Sequence, residues 1–158
     1  MLYFFHKITE EYAMNILVSA CLLGENCKYS GSNNLAAGMA EALTAAGYTI
    51  IGCCPEQMGG LPTPRVPAER AGERVVNKEG ADVTEAFCKG AAAALALAQA
   101  QGCTAAVLKK NSPSCGCGQI YDGSFTGTLV SGDGVTAQLL KEHGIAICNE
   151  ENYTGLLK

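Results

Sequence analysis

The stretch Asn15-Ile16-Leu17-Val18-Ser19-Ala20, followed directly by Cys21, decides how the chain reads. A short apolar run of about six residues has the length of a buried strand. Working outward, SGSNN (30–34) offers Ser and Asn residues suited to a helix cap, and LAAGMAEALTAAG (35–47) places Leu35, Met39, Leu43 and Ala46 on one helical face, with Gly47 as a stop. Thr49–Cys53 reads as a second strand. Residues 55–80 carry four of the five prolines and the pair Gly59-Gly60, so they are expected to form a long loop. Asp82 with Glu85 resembles a capping box opening a helix with a small-residue face, Val83, Phe87, Ala91, Ala94 and Ala98, that ends at Gly102. Thr104–Lys109 is a third strand, SPSCGCG (112–118) a loop, residues 120–130 a hairpin turning at Asp122-Gly123, residues 134–143 a short helix, and Ile145–Asn149 a fourth strand.

Strands separated by helices pair in parallel through right-handed crossovers, so the expected fold is α/β, a three-layer sandwich with an open, mostly parallel, Rossmann-like sheet. The chain has 158 residues, of which 48% are hydrophobic, and is expected to form one domain over 1–158. Eleven Lys and Arg against 15 Asp and Glu leave a net charge of −4, and the sequence pI is about 5.1. No broad basic footprint for duplex DNA is present, and RNA is disfavoured for the same reason. No run of 18 or more apolar residues is present to span a membrane. The opening MLYFF is too short, and too closely followed by Lys7, Glu10 and Glu11, for a signal peptide, so the chain reads as cytoplasmic. No phosphate-loop or dinucleotide glycine motif occurs.

Nine cysteines are the outlier. In a reducing compartment, thiols grouped in loops point to metal or reactive chemistry rather than a disulfide framework. Ligands of open α/β sheets bind beyond the carboxyl ends of the strands. Cys21 follows the first strand, Cys54 the second, and Cys115 lies in the loop after the third, so three thiols distant in sequence should converge there, along with Glu56, Ser112, Ser114 and Glu150. Such a set suits either an iron–sulfur cluster or zinc. Structural zinc is disfavoured by the absence of C-x-x-C knuckles, and a dithiol redox site by the same absence. A cluster held by three cysteines would leave one iron open to substrate.

Cys88, Cys103 and Cys148 are expected to be packing residues. Cys27, Cys53 and Cys117 neighbour the candidates and remain alternative ligands. Glu56 could instead cap a helix or pair with Arg65, and Ser112 and Ser114 could be ordinary turn residues. His6 and His143 read as surface residues, and Lys109 and Lys110 as a solvated strand end.

Five blocks, SACLLGENCKYSG (19–31), CCPEQMGGLPTPRVPAE (53–69), GADVTEAFCKGA (80–91), KKNSPSCGCGQIYDGSF (109–125) and GDGVTAQLLKEHGI (132–145), resemble the bacterial domain-of-unknown-function 523 family. Its characterised members are thiouracil desulfidases. The resemblance runs from about Asn15 to about Tyr153 and leaves residues 1–13 as an N-terminal extension; Lys28 stands where the family often has Arg. It implies a [4Fe-4S] cluster on Cys21, Cys54 and Cys115, with Glu56 activating water and Ser112 relaying a proton, and a non-redox conversion of 2- or 4-thiouracil to uracil and hydrogen sulfide. Longer relatives that act on thiouridine in tRNA carry an extra domain missing here, so the implied substrate is a small thiolated base or nucleoside. The competing readings are a tRNA thiouridine desulfidase and a non-catalytic cluster-binding module. Retention of both Glu56 and Ser112 speaks against the latter, because storage needs no acid–base pair.

Overall fold

A computed structural model describes residues 14–157. The chain enters through β1 (Met14–Ser19), makes a 3-10 turn (Ala20–Leu23), and continues through α1 (Met39–Ala45), β2 (Tyr48–Cys53) and a four-residue helix α2 (Pro55–Met58). A hairpin of β3 (Ala68–Ala71) and β4 (Arg74–Asn77) precedes the long helix α3 (Thr84–Ala100) and strand β5 (Ala105–Val107). A second hairpin, β6 (Gln119–Tyr121) and β7 (Leu129–Ser131), leads into α4 (Val135–Glu142), β8 (Ala146–Cys148) and a closing 3-10 turn (Tyr153–Leu157).

The four strands β1, β2, β5 and β8 form one sheet in the order β2-β1-β5-β8, with every neighbour parallel. Successive side chains of a strand point to opposite faces, so β1 feeds two cores. Leu17, with Ala106 and Leu108, packs on Ala94 and Ala98 of α3 and on Ala137 and Leu140 of α4. Ile16 and Val18, with Ala105 and Val107, pack on Met39 and Leu43 of α1, and Tyr153 and Leu156 of the final turn complete that layer. These are the three layers expected, with helices on both faces of a parallel sheet. His6 and residues 1–13 lie outside the described residues.

Several local expectations are corrected. Residues 55–80 are not a continuous loop. Pro55 occupies the first position of α2, where its missing N–H costs nothing. The sequence AERAGERVVN then folds back on itself as β3 and β4 through Gly72, which takes a left-handed φ of 63°. α1 begins at Met39 rather than Leu35, after Gly38, and no side chain caps it. The capping box does not form, because Asp82 accepts the N–H of Thr84 at 2.9 Å and pairs with Arg74 at 3.1 Å. The second hairpin opens well beyond Asp122-Gly123, its strands beginning to pair at Tyr121 and Leu129.

Two glycines set the placement of α2. A methyl group on Gly90 of α3 would lie 1.9 Å from the Pro55 carbonyl oxygen, and one on Gly59 would lie 2.0 Å from that of Ala86. The two helices therefore touch backbone to backbone, which fixes the turn Cys54-Pro55-Glu56 against the longest helix. At an exposed helical site Gly→Ala stabilises by about 1 kcal/mol. Gly90→Ala is expected to do the opposite, destabilising by about 1–3 kcal/mol through overpacking, read as a lower urea midpoint.

Candidate active site

The strand order places the site. From β1 the chain crosses to β2 on one side and later to β5 on the other, so the carboxyl ends of β1 and β5 diverge at a switch point, where open α/β sheets bind ligands. A cavity of about 520 Å³ lies there, lined by Cys21, Cys54, Glu56, Ser112 and Cys115, five of the seven residues expected at this edge from the sequence; Ser114 and Glu150 do not line it. Cys27 and Cys53 share its wall.

Each loop is pinned by its own backbone. The Cys21 carbonyl accepts N–H groups from Gly24 at 3.3 Å and Asn34 at 2.9 Å, folding the chain back across the end of β1. Cys54 stands in extended conformation just before Pro55, so it shares the fixed position of α2. In the third loop the Ser112 hydroxyl accepts the N–H groups of Ser114 at 3.1 Å and Cys115 at 3.0 Å. The turn role is therefore realised at a residue that also lines the cavity. With its acceptor side engaged by two N–H groups, the hydroxyl keeps its proton to donate.

This loop is welded to the start of α4. The Pro113 carbonyl accepts the Val135 N–H at 2.9 Å, and the Ser114 carbonyl accepts those of Thr136 at 2.8 Å and Ala137 at 3.1 Å. These are N–H groups that a helix start leaves without partners of its own. Ser114 is buried and exchanges a hydroxyl bond of 2.8 Å with Thr136, so it belongs to the weld rather than to the cavity wall expected of it.

Glu56 is fixed by Arg65, whose side chain is only 5% exposed against 20% for the glutamate. Arg65 Nε donates to Glu56 Oε1 at 3.2 Å, while its Nη atoms donate to the carbonyl of Cys27 at 2.9 Å, that of Pro62 at 3.2 Å and the Thr63 hydroxyl at 3.0 Å. The alternative partner foreseen for Glu56 is thus present, and it holds the carboxylate at the cavity instead of removing it. Lys109 is not a solvated strand end. It lines the cavity, and its ammonium pairs with Glu150 at 2.8 Å. Glu150 is half-buried rather than returned to solvent, stands behind the wall, and also accepts the Lys110 N–H at 2.8 Å. Lys110 pairs with the exposed Glu151.

The remaining thiols separate clearly. Cys117 lies in a second cavity of about 340 Å³ beside Lys141 and β8, apart from the first. Cys103 is buried and Cys148 half-buried, as packing residues should be, whereas Cys88 is exposed on α3, against expectation. His143 is exposed at the end of α4. Burial pushes the Cys53 thiol up to about 12 and raises that of Cys27, in both cases reinforced by Cys54. Burial likewise raises Cys115, against a hydrogen bond from Ser19, and Cys21, against one from Asn34. Thiolates in such a place need a positively charged centre, and cysteine ligands of metals are thiolates. Among the described residues no three His, Cys, Asp or Glu side chains gather tightly enough for a single metal ion. Three thiols spread around one roomy cavity fit a multi-iron cluster better than zinc.

The sequence reading did not single out Ser19, Asn111 or Glu69. Asn111 lines the cavity with a left-handed φ of 64°, a conformation Asn tolerates. Glu69 of β3 accepts the N–H groups of Gly123 at 3.0 Å and Phe125 at 3.1 Å, tying the two hairpins together at the cavity wall. The rule that sites lie beyond strand ends could have found Ser19, the last residue of β1. Glu69 carries no local signal.

The fold and cavity define an α/β protein with a cysteine-lined cavity at the switch point of its parallel sheet. The chain belongs to the 2-thiouracil desulfurase family, whose pattern matches residues 16–152. It is 48% identical to a solved structure described as the [4Fe-4S]-dependent thiouracil desulfidase TudS, with a TM-score of 0.85 over 90% of this chain and 95% of that one. It is also 40% identical over 152 residues to YbbK of Bacillus subtilis (strain 168), an uncharacterized protein, covering 90% of this chain and 99% of YbbK.

Thr136→Val leaves the buried Ser114 hydroxyl without its partner. The expected loss is about 1–3 kcal/mol in chemical denaturation, and Thr136→Ser should recover most of it.

Proposed function

We propose that the protein is a [4Fe-4S]-dependent desulfidase that converts a thiolated pyrimidine, 2- or 4-thiouracil, and water to uracil and hydrogen sulfide, with no net redox change. The observation that carries this reading is the meeting of Cys21, Cys54, Cys115, Glu56 and Ser112 at one cavity in a member of the 2-thiouracil desulfurase family. Cys21, Cys54 and Cys115 would hold the cluster. When bound, it supplies an iron without a protein ligand, a soft Lewis acid suited to a thiocarbonyl sulfur.

The chain's own groups supply the rest. The cavity, at about 520 Å³, falls in the size range of small-molecule sites and has room for a pyrimidine beside a cluster. Glu56 accepts a proton from the water that attacks the ring carbon, with Arg65 restraining its Oε1 so that the base stays aimed. Ser112, whose acceptor side is engaged by backbone N–H groups, donates its proton to the ring nitrogen as charge develops there. Oxygen replaces sulfur at carbon, and the sulfur leaves as sulfide. The net charge of −4 supports a free base or nucleoside as substrate over RNA, and a reducing cytoplasm suits thiolate-held iron.

Anaerobic reconstitution with iron and sulfide should give the visible absorbance of a [4Fe-4S] cluster and sulfide release from 2- or 4-thiouracil. A loaded protein that releases no sulfide from any thiolated pyrimidine would overturn the assignment. Glu56→Gln and Ser112→Ala should keep the cluster and lower kcat by about 10²–10⁴-fold. Cys21→Ser, Cys54→Ser and Cys115→Ser should each abolish stable iron binding, while Cys117→Ser should leave the iron content at the wild-type level.

A further inference from the structure

Among the described residues, Tyr29 is the one large apolar side chain that is both exposed and on the wall of the main cavity. Isolated exposed apolar side chains are ordinary on a protein surface. Met14, Leu35, Leu129 and Val130 fit that description, since none of them lines the cavity, whereas Tyr29 is 43% exposed and does. Its place is fixed by the backbone on two sides. Residues 28–31 form a turn closed by the Gly31 N–H on the Lys28 carbonyl at 2.8 Å, with Gly31 at a left-handed φ of 85°. The Tyr29 carbonyl accepts the Arg65 N–H at 2.8 Å, and the side chain of the same arginine donates to Glu56 Oε1 at 3.2 Å. One residue therefore ties the tyrosine to the proposed general base. The Lys28 ammonium stands 5.5 Å from the centre of the Tyr29 ring, within range of a cation–π contact that orients the ring. Tyr29 belongs to neither hydrophobic core, so packing does not account for a large aromatic side chain at this position.

We propose that Tyr29 is a substrate-binding residue whose ring stacks on the flat face of the thiolated pyrimidine, selecting planar heteroaromatic rings over other thiocarbonyl compounds. The proposal rests on the desulfidase reading above and adds to it the group that grips the ring. Glu56 and Ser112 serve a carbon and a nitrogen that a saturated cyclic thiourea also has, so neither of them reads aromaticity. A tyrosine does, because stacking needs a π face on both partners. Stacking is largely indifferent to whether sulfur or oxygen sits on the ring carbon. It therefore holds substrate, transition state and product alike, and its loss appears in KM rather than in kcat.

The test uses the full chain, reconstituted anaerobically as wild type, Tyr29→Leu and Tyr29→Phe. The readouts are sulfide release from 2-thiouracil and from 5,6-dihydro-2-thiouracil, and equilibrium dialysis of uracil, the product, against the loaded protein. Tyr29→Leu is expected to keep the wild-type iron content and kcat, while its KM for 2-thiouracil and its Kd for uracil rise by about 5–150-fold. The same substitution should change KM for the dihydro compound far less, because that ring has lost its π system. Tyr29→Phe, which keeps the ring, should restore both readouts. A loaded Tyr29→Leu protein with the wild-type KM and uracil affinity, or with equal penalties on the two thiolated compounds, would overturn the proposal and leave the desulfidase reading intact. A loaded wild type that releases no sulfide from any thiolated pyrimidine would overturn both. Should Tyr29→Leu not take up iron, the wild type decides: it should bind uracil more tightly than 5,6-dihydrouracil, and equal binding would sink the stacking role.

Discussion

The burial of β1 on both faces is the constraint on which the rest depends. Ile16, Leu17 and Val18 are fully buried, so the strand has to sit inside the sheet, with β2 and β5 on either side and a helical layer above and below. Once it is central, the crossover to β2 runs one way and the return to β5 the other. The ends of β1 and β5 must then part, and the loops that follow β1, β2 and β5 must surround the same space. Cys21, Cys54 and Cys115 meet because the chain reverses direction across one buried strand.

The loops around that space are held by backbone contacts more than by side-chain packing. α2 rests on α3 through Gly59 and Gly90, whose missing side chains allow carbonyl oxygens to approach. The loop 112–116 spends its carbonyls on the first N–H groups of α4, and a methyl group on Gly134 would lie 2.4 Å from the Ser114 carbonyl. Such contacts leave thiol, hydroxyl and carboxylate groups free to face the cavity while fixing where each one stands. Preorganisation of this kind is what an acid–base pair needs, since a proton donor or acceptor displaced by 1 Å loses much of its effect.

Charge is distributed to match. Arg65 and Lys109 both line a cavity that also carries thiols and a carboxylate, and each is engaged by an acid, Glu56 or Glu150. Neither acid–base pair supplies a net positive charge, and burial raises the pKa of Cys21 and Cys115. The thiols are therefore poorly suited to ionise by themselves and well suited to a cationic centre of iron.

The order of strands and helices was legible in the sequence because a period of two and a period near 3.6 survive without knowledge of tertiary contacts, and Cys21, Cys54 and Cys115 could be assigned to one edge from that order alone. Glu56 and Ser112 were legible as candidates from their motifs. The hairpin at 68–77 was not, because a two-stranded ribbon stabilised by Glu69 and Arg70 contacts to residues some 50–60 positions onward has little local signature. Only the tertiary structure decided that Ser114 belongs to the α4 weld, that Lys109 is paired at the cavity, that Cys117 faces another cavity, and that Ser19 and Asn34 line the first one. Local sequence sets which element forms and where it ends, whereas the side a side chain faces at a loop depends on partners far away along the chain.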